Sequence, residues 1–145
     1  PIYEGTNGIQ AADLVTRKLA LEGGGAIASL IDDIRADAAG EPTLESLAEA
    51  CAETVEWMQS NAKLDDRLAG SVPFCTMLAV AVAGWQLMKQ MQFVSDNSQS
   101  PLARVKPITG RFFLDRIVPQ AKGLKAEAMA GANLLYAVSA EALAG

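Results

Sequence analysis

Pro42-Thr43-Leu44-Glu45-Ser46-Leu47-Ala48-Glu49-Ala50-Cys51-Ala52-Glu53-Thr54-Val55-Glu56-Trp57-Met58-Gln59-Ser60-Asn61-Ala62 is the stretch that decides the fold. Leu44, Ala48, Cys51, Val55, Met58 and Ala62 recur at alternating steps of four and three. Such spacing lays apolar side chains along one side of a helix, whose turn takes ~3.6 residues. Glu45, Glu49, Glu53, Glu56 and Gln59 fall mostly off that seam. Thr43 offers an N-cap, with Glu45 and Ser46 in the next turn. Gly40-Glu41-Pro42 stops whatever precedes, and Gly70-Ser71 with Pro73 ends this helix and begins another, because a first turn tolerates proline.

Outward from there the chain stays helical. No charged residue occurs between Arg67 and Lys89, and apolar side chains lie on all sides of a helix expected over about 71–94. A membrane span needs ~20 apolar residues. Here Ser71, Pro73, Thr76, Gly84 and Gln86 dilute the run, and its strongly apolar part, Phe74 to Trp85, is too short. A central bundle helix surrounded by others is the expectation. Turn chemistry fills Ser95 to Pro101. Pro107 and Gly110 predict that the last helix settles only after about Thr109. It then carries Leu114, Ile117, Ala121, Leu124, Ala128, Gly131, Leu135, Val138 and Ala142 in the same rhythm, kinked at Pro119.

Toward the amino end, Asn7 with Gln10 resembles a capping box for a helix containing Ile9, Ala12, Leu14 and Val15. Gly23-Gly24-Gly25 breaks it, and a short amphipathic helix follows with Ile27, Leu30, Ile31 and Ile34 inward. β-branched runs of alternating polarity are absent, while alanine, leucine, glutamate, lysine and methionine abound. The expected fold is all-α: an antiparallel up-and-down four-helix bundle preceded by a short helical appendage.

Composition narrows the chemistry. The 145 residues suffice for one core, and with 50% hydrophobic and 20% charged residues disorder is not expected. A net charge of −5 and a pI near 4.7 argue against nucleic acid, which demands a basic face. The chain has no histidine, which removes histidine acid–base chemistry, catalytic triads and the commonest metal ligand. Cys51 and Cys75 form no CxxC pair, so no metal site is expected and both read as free thiols in a reducing compartment. No charged-then-apolar leader opens the chain, and a cytoplasmic location is expected.

One motif remains, Tyr3-Glu4-Gly5-Thr6-Asn7-Gly8-Ile9-Gln10. Taken alone, a carboxylate just before a helix start merely favours the positive end of the helix dipole. Likewise Tyr3 reads as a packing residue, and Thr6 and Asn7 as caps. Together with Asp13-Leu14-Val15 and Arg17-Lys18-Leu19, however, the string resembles the acyl-CoA dehydrogenase signature. That resemblance implies that Glu4 is the catalytic base, removing the α-proton of an acyl-CoA thioester while the β-hydrogen leaves as hydride to FAD. It implies that Tyr3 and Gly5 contact substrate and that Thr6, Asn7 and Gly8 pass near the flavin. A base of this kind works in an apolar pocket that disfavours its charged form. Gly8 stands where some relatives carry a longer polar side chain, so only a backbone contact could persist there.

Ordinary members of that family end soon after this helix. A further bundle beyond a glycine break resembles the long subgroup, which includes the bacterial 3-methylthiopropionyl-CoA dehydrogenases and carries an extra carboxyl-terminal helical domain. The implied division is 1–22 for the end of the dehydrogenase helical domain, 23–42 for a short helix and linker, and 43–145 for the additional bundle. The implied parent is a homo-oligomeric flavoenzyme with an acyl-CoA substrate and a separate electron acceptor, with no nucleic-acid or membrane partner. The piece by itself is expected to be inactive, to bind no FAD and to serve packing or oligomerisation. A stand-alone helical interaction module is the competing expectation, and a membrane-embedded four-helix protein is disfavoured because only one helix is apolar enough. Gly23-Gly24-Gly25 lacks the Lys-Ser/Thr of a phosphate loop and reads as a hinge. Arg104, Lys106 and Arg111 read as a solvated basic face, and Trp57, Trp85 and Phe112 as core.

Overall fold

The computed structural model describes residues 5–96, 99 and 101–145. The fold is all-α, with no strand among the described residues. In chain order the helices are α1 (Thr6–Thr16), α2 (Gly25–Asp37), α3 (Pro42–Ser60), α4 (Leu64–Ala69) and α5 (Ser71–Asp96). They continue as α6 (Lys106–Arg116), α7 (Val118–Gly123), α8 (Lys125–Ala128) and α9 (Ala140–Ala144), with 3-10 turns at Lys18–Gly24 and Asn133–Tyr136. Of the expected turn at 95–101, residues 97, 98 and 100 lie outside the described ones.

The seam of α3 is the backbone of the core. Leu44, Ala48, Cys51, Val55 and Met58 are all buried, and Leu47, Ala50 and Thr54 widen the face. Thr54 satisfies its buried hydroxyl by donating to the Ala50 carbonyl at 2.7 Å. Glu41, not Thr43, holds the N-cap position, with Pro42 opening the first turn. Proline has fixed φ and no N–H to leave orphaned, so it starts the helix before the threonine can cap it.

Helix α5 lies in the middle, packing against α1, α2, α3, α4, α6, α7 and α8. Close approaches fix directions. Gly70, just before α5, abuts Met58 late in α3, whereas Gly84 in mid-α5 faces Leu44 early in α3. These two helices therefore run antiparallel. A Cβ added at Gly84 would stand 3.2 Å from a Leu44 methyl and 3.3 Å from a Val118 methyl. Likewise Gly110 of α6 meets Met91 late in α5, and Ala128 of α8 meets Gly70, so the α6–α8 course runs back along α5. One buried cluster joins Val15 and Leu19 to Ile31, Leu44, Phe74, Leu114 and Ala128.

Four local expectations give way. The first helix starts at Thr6 under a Gly5 cap in the left-handed conformation (φ 64°), with no side-chain cap bond. Gly5 turns the chain without a Cβ penalty, which leaves Asn7 inside the first turn rather than capping it. Ile9 is exposed as a result. Helix α6 begins at Lys106, three residues before Thr109, because Pro107 suits a first turn.

The expected single last helix is instead divided into α6, α7, α8, a 3-10 turn and α9. Pro119 cannot donate to the carbonyl four residues back, so α6 ends at Arg116 and α7 restarts at Val118. Gly131, at φ 73°, then turns the chain out of helix, and the Ala132 N–H donates to Asp66 Oδ1 at 2.8 Å. Beyond it Leu135, Val138 and Ala142 are exposed instead of continuing the seam. Finally, Phe112 faces out and its neighbour Phe113 packs on the core, while Trp57 and Trp85 are partly buried against it.

Helix α5 also departs from being surrounded. By length and composition Ser71–Ser95 could cross a membrane, and 39% of its most apolar window is buried inside the fold. Its open part is a stripe formed by Val72, Cys75, Thr76, Ala79, Val80 and Ala83.

Candidate functional site

The amino-terminal signature meets the rest of the molecule at the start of α1. Gly5 reverses the chain, and the N–H of Ile9 returns to the Gly5 carbonyl at 3.2 Å. Thr6, Asn7 and Gly8 thus occupy consecutive first-turn positions, all exposed. First-turn N–H groups have no partner within a helix, and among the described residues no side chain caps them. Such a turn presents donors and the positive end of the helix dipole to an anionic or polar ligand atom. Among the described residues nothing lies within 4 Å of where a Cβ would stand at Gly5 or Gly8, which leaves the backbone open to close approach from that side. The backbone here fits part of a cofactor-binding surface. Tyr3 and Glu4 lie outside the described residues.

Helix α1 carries these residues onto α5. Asn7, Gln10 and Ala11 face Val72, Cys75, Thr76, Ala79, Val80 and Ala83 across a groove of about 380 Å³. On the other side of α1, Gln10, Leu14 and Lys18 share a second groove of about 490 Å³ with Leu30, Leu78 and Val82. A third, between Thr76 and Val80 of α5 and Ile117, Gln120, Ala121 and Leu124, flanks the stripe opposite α1. The open face of α5 is thus a shallow apolar valley walled by α1 and by the start of α7. Among the described residues Lys18 is the one cation lining the second groove, and its Nζ pairs with Asp13 at 3.2 Å.

Polar contacts hold the frame behind that valley. The Arg111 guanidinium donates to both oxygens of Glu41 at 2.6 and 2.8 Å, tying α6 to the start of α3. It also donates to Asp115. This fork holds the Glu41 carboxyl below its usual range and raises Arg111 further above its own. Arg111 is therefore a clamp and not the freely solvated charge expected of it. Lys106 donates to Gln90 at 2.6 Å. Trp85 Nε1 donates to Asp37 at 2.8 Å, which lowers the Asp37 carboxyl, and Lys89 sits over the Trp85 ring while also pairing with Asp37. Gln59 donates to the Leu19 carbonyl at 3.0 Å and fixes the break after α1.

The thiols differ. Cys51 is buried, and desolvation pushes it up to about 12, so it stays protonated and inert. Cys75 is half-buried in the valley. Among the described residues no group of three or more histidine, cysteine or carboxylate side chains could hold a metal ion.

Gly5, Thr6, Asn7 and Gly8 stand at the start of α1. The Glu41–Arg111 fork, the Asp66–Ala132 clasp and the α5 valley were not visible in the sequence. Each joins residues tens of positions apart, and nothing local announces such a pairing.

Residues 25–139 match the family described as acetyl-CoA dehydrogenase C-terminal like. The chain is 36% identical over 100 residues to the 3-methylmercaptopropionyl-CoA dehydrogenase of Ruegeria pomeroyi, an alignment covering 60% of this chain and 17% of that relative. The chain thus spans only about a sixth of that relative's length. No solved structure matches.

Proposed function

The chain belongs to the acetyl-CoA dehydrogenase C-terminal-like family, and from that premise we propose that it is the carboxyl-terminal part of a flavin-dependent acyl-CoA dehydrogenase. The observation that carries this reading is the position of the match. The family region begins at residue 25, immediately after the Gly23-Gly24 break, and the signature helix stands directly before it. This supports 1–22 as the end of the dehydrogenase helical domain; the further division into 23–42 as connection and 43–145 as additional bundle rests on the Gly40-Glu41-Pro42 stop alone, and all three regions feed one core.

In the parent, Glu4 removes the α-proton of the acyl thioester: the α C–H bond breaks, its electrons move toward the carbonyl and the proton goes to the carboxylate. When bound in the parent, FAD would supply the acceptor for the β-hydrogen and its electron pair, so that the product would be a trans-2-enoyl thioester. The backbone N–H of Glu4 itself donates to the thioester oxygen as negative charge develops there. Tyr3 lines the acyl side, and Gly5 allows substrate to lie against the chain. Thr6, Asn7 and Gly8 offer first-turn donors to the cofactor. Localisation in the cytoplasm belongs to the same proposal, as does a bundle that packs on catalytic domains or on another subunit.

The test is Glu4→Gln in the full-length parent. Turnover falls by at least ~10³-fold, the upper part of what a positioned general base contributes, while bound flavin and its absorbance persist. Turnover like wild type sinks the base assignment. The 145-residue chain purified alone is colourless and inactive; a yellow, flavin-loaded preparation defeats that part of the reading.

A further inference from the structure

The arginines of the chain divide by their surroundings. Arg17, Arg104 and Arg116 are exposed, where water can serve the guanidinium. Arg35, Arg67 and Arg111 are half-buried. Of these, Arg35 pairs with Asp32 and Glu49, and Arg111 with Glu41 and Asp115. Arg67 forms no ion pair among the described residues. Its Nε is wholly covered and has no hydrogen-bond partner, the one side-chain atom of that kind among the described residues. A buried donor without an acceptor is unfavourable, so folded proteins nearly always supply one from protein, water or a bound ion. The nearby acids do not. Asp66 accepts instead from the N–H groups of Lys63 and Ala132, at 3.0 and 2.8 Å, while Glu22 and Asp65 are exposed.

Arg67 borders a cavity of about 370 Å³ between the end of α1, the end of α3 and α4. Leu19 and Ala20 make its apolar side, and Gly23, Gly24 and Gln59 complete the wall. Among the described residues nothing lies within 4 Å of where a Cβ would stand at Gly23, whose φ of 67° suits glycine, so that part of the wall is bare backbone. Gln59 gives one amide hydrogen to the Leu19 carbonyl and keeps a second to donate. The lining therefore holds one full positive charge, further donors and no carboxylate.

We propose that this cavity binds a small oxyanion, the phosphate or carboxylate group of a free metabolite, with Arg67 as its main contact. A guanidinium presents paired N–H donors that match two oxygens of such a group. Turning toward the cavity gives Nε the acceptor it lacks, and Gln59 donates from the opposite wall. The occupant then ties the end of the signature helix α1 to α3 and α4.

Heteronuclear NMR of the 145-residue chain tests this with inorganic phosphate and with acetate, each taken to tens of millimolar at an ionic strength held constant with chloride. The Arg67 Nε–H and the Gly23 and Gly24 amide resonances shift and saturate, while those of Arg104 and Arg116 do not. A response to either probe supports the site, and the tighter of the two names the preferred group. Arg67→Gln abolishes the glycine shifts. Should that variant unfold, Arg67→Lys keeps the charge without the planar fork and weakens binding by about tenfold. Absence of a saturable shift with both probes overturns the proposal, as do equal shifts at Arg104 and Arg116 or shifts that persist in Arg67→Gln. In the full-length parent, the same probe raises the unfolding temperature in an Arg67-dependent way. A response confined to the 145-residue chain assigns the cavity to a carboxylate of the parent and overturns the free oxyanion. None of these failures touches the dehydrogenase reading, which Glu4→Gln tests separately.

Discussion

Helix α3 and the stretch from Lys106 to the carboxyl end carry the same three-and-four apolar rhythm, yet one is a continuous buried helix and the other a broken course that ends exposed. In α3 nothing between Pro42 and Ser60 interrupts the hydrogen-bond ladder, and helices α2, α5 and α7 cover the seam. The later stretch meets Pro119, which removes a donor, and Gly131, which turns left-handed and hands the next N–H to Asp66. Periodicity says which residues could share a face. It does not say whether another element arrives to cover that face.

The largest effect should come from cutting the covered seam. Leu44→Ala removes a fully buried side chain wedged against α5 and should cost about 2–5 kcal/mol in urea unfolding. The same truncation at the exposed Leu135 should stay within about 0.5 kcal/mol. Equal losses at the two sites would erase the contrast between the regions.

Next is the contact that joins them. Gly70 leaves no room for a Cβ beside the Ala128 carbonyl and Met58, so Gly70→Ala should cost about 1–3 kcal/mol through overpacking. A neutral result would mean that α8 can shift without loss.

The smallest effect concerns the Glu41–Arg111 fork, which ties the two regions electrostatically. Arg111 is partly exposed, so Glu41→Gln should cost only about 1 kcal/mol at neutral pH. Because Glu41 is held below its ordinary value when folded, its contribution is complete above the unfolded carboxyl pKa. It is lost as pH falls through the folded value. The difference between wild type and variant should therefore fade below about pH 4. A constant difference down to about pH 2 would show that the carboxylate's charge contributes nothing.

Much of this was legible beforehand. The α3 seam, the inward faces of Ile27, Ile31 and Ile34, the break at Gly23-Gly24 and the apolar character of α5 all depend on neighbours within a turn or two, where sequence spacing is a direct physical measure. The order Gly5-Thr6-Asn7-Gly8 at a helix start was legible as well, though its cap was not. Gly5 and Asn7 offer rival ways to begin the same helix, and spacing alone does not rank them. Phe112 and Phe113 were indistinguishable for a similar reason. They differ by ~100° around one helix, and only the position of α5 decides which faces inward.

The sequence by itself determined that the chain is helical, where its longest helices run, and which family its opening signature resembles. Each of these follows from residues close together along the chain. Only the tertiary structure decided that Arg111 grips Glu41, that Asp66 ends the last helical course, and that α5 is walled on two sides but open along a third. Those outcomes depend on chain segments tens of residues apart meeting, or failing to meet. The free energy of such a meeting comes from buried area and geometric fit, which one-dimensional spacing does not contain.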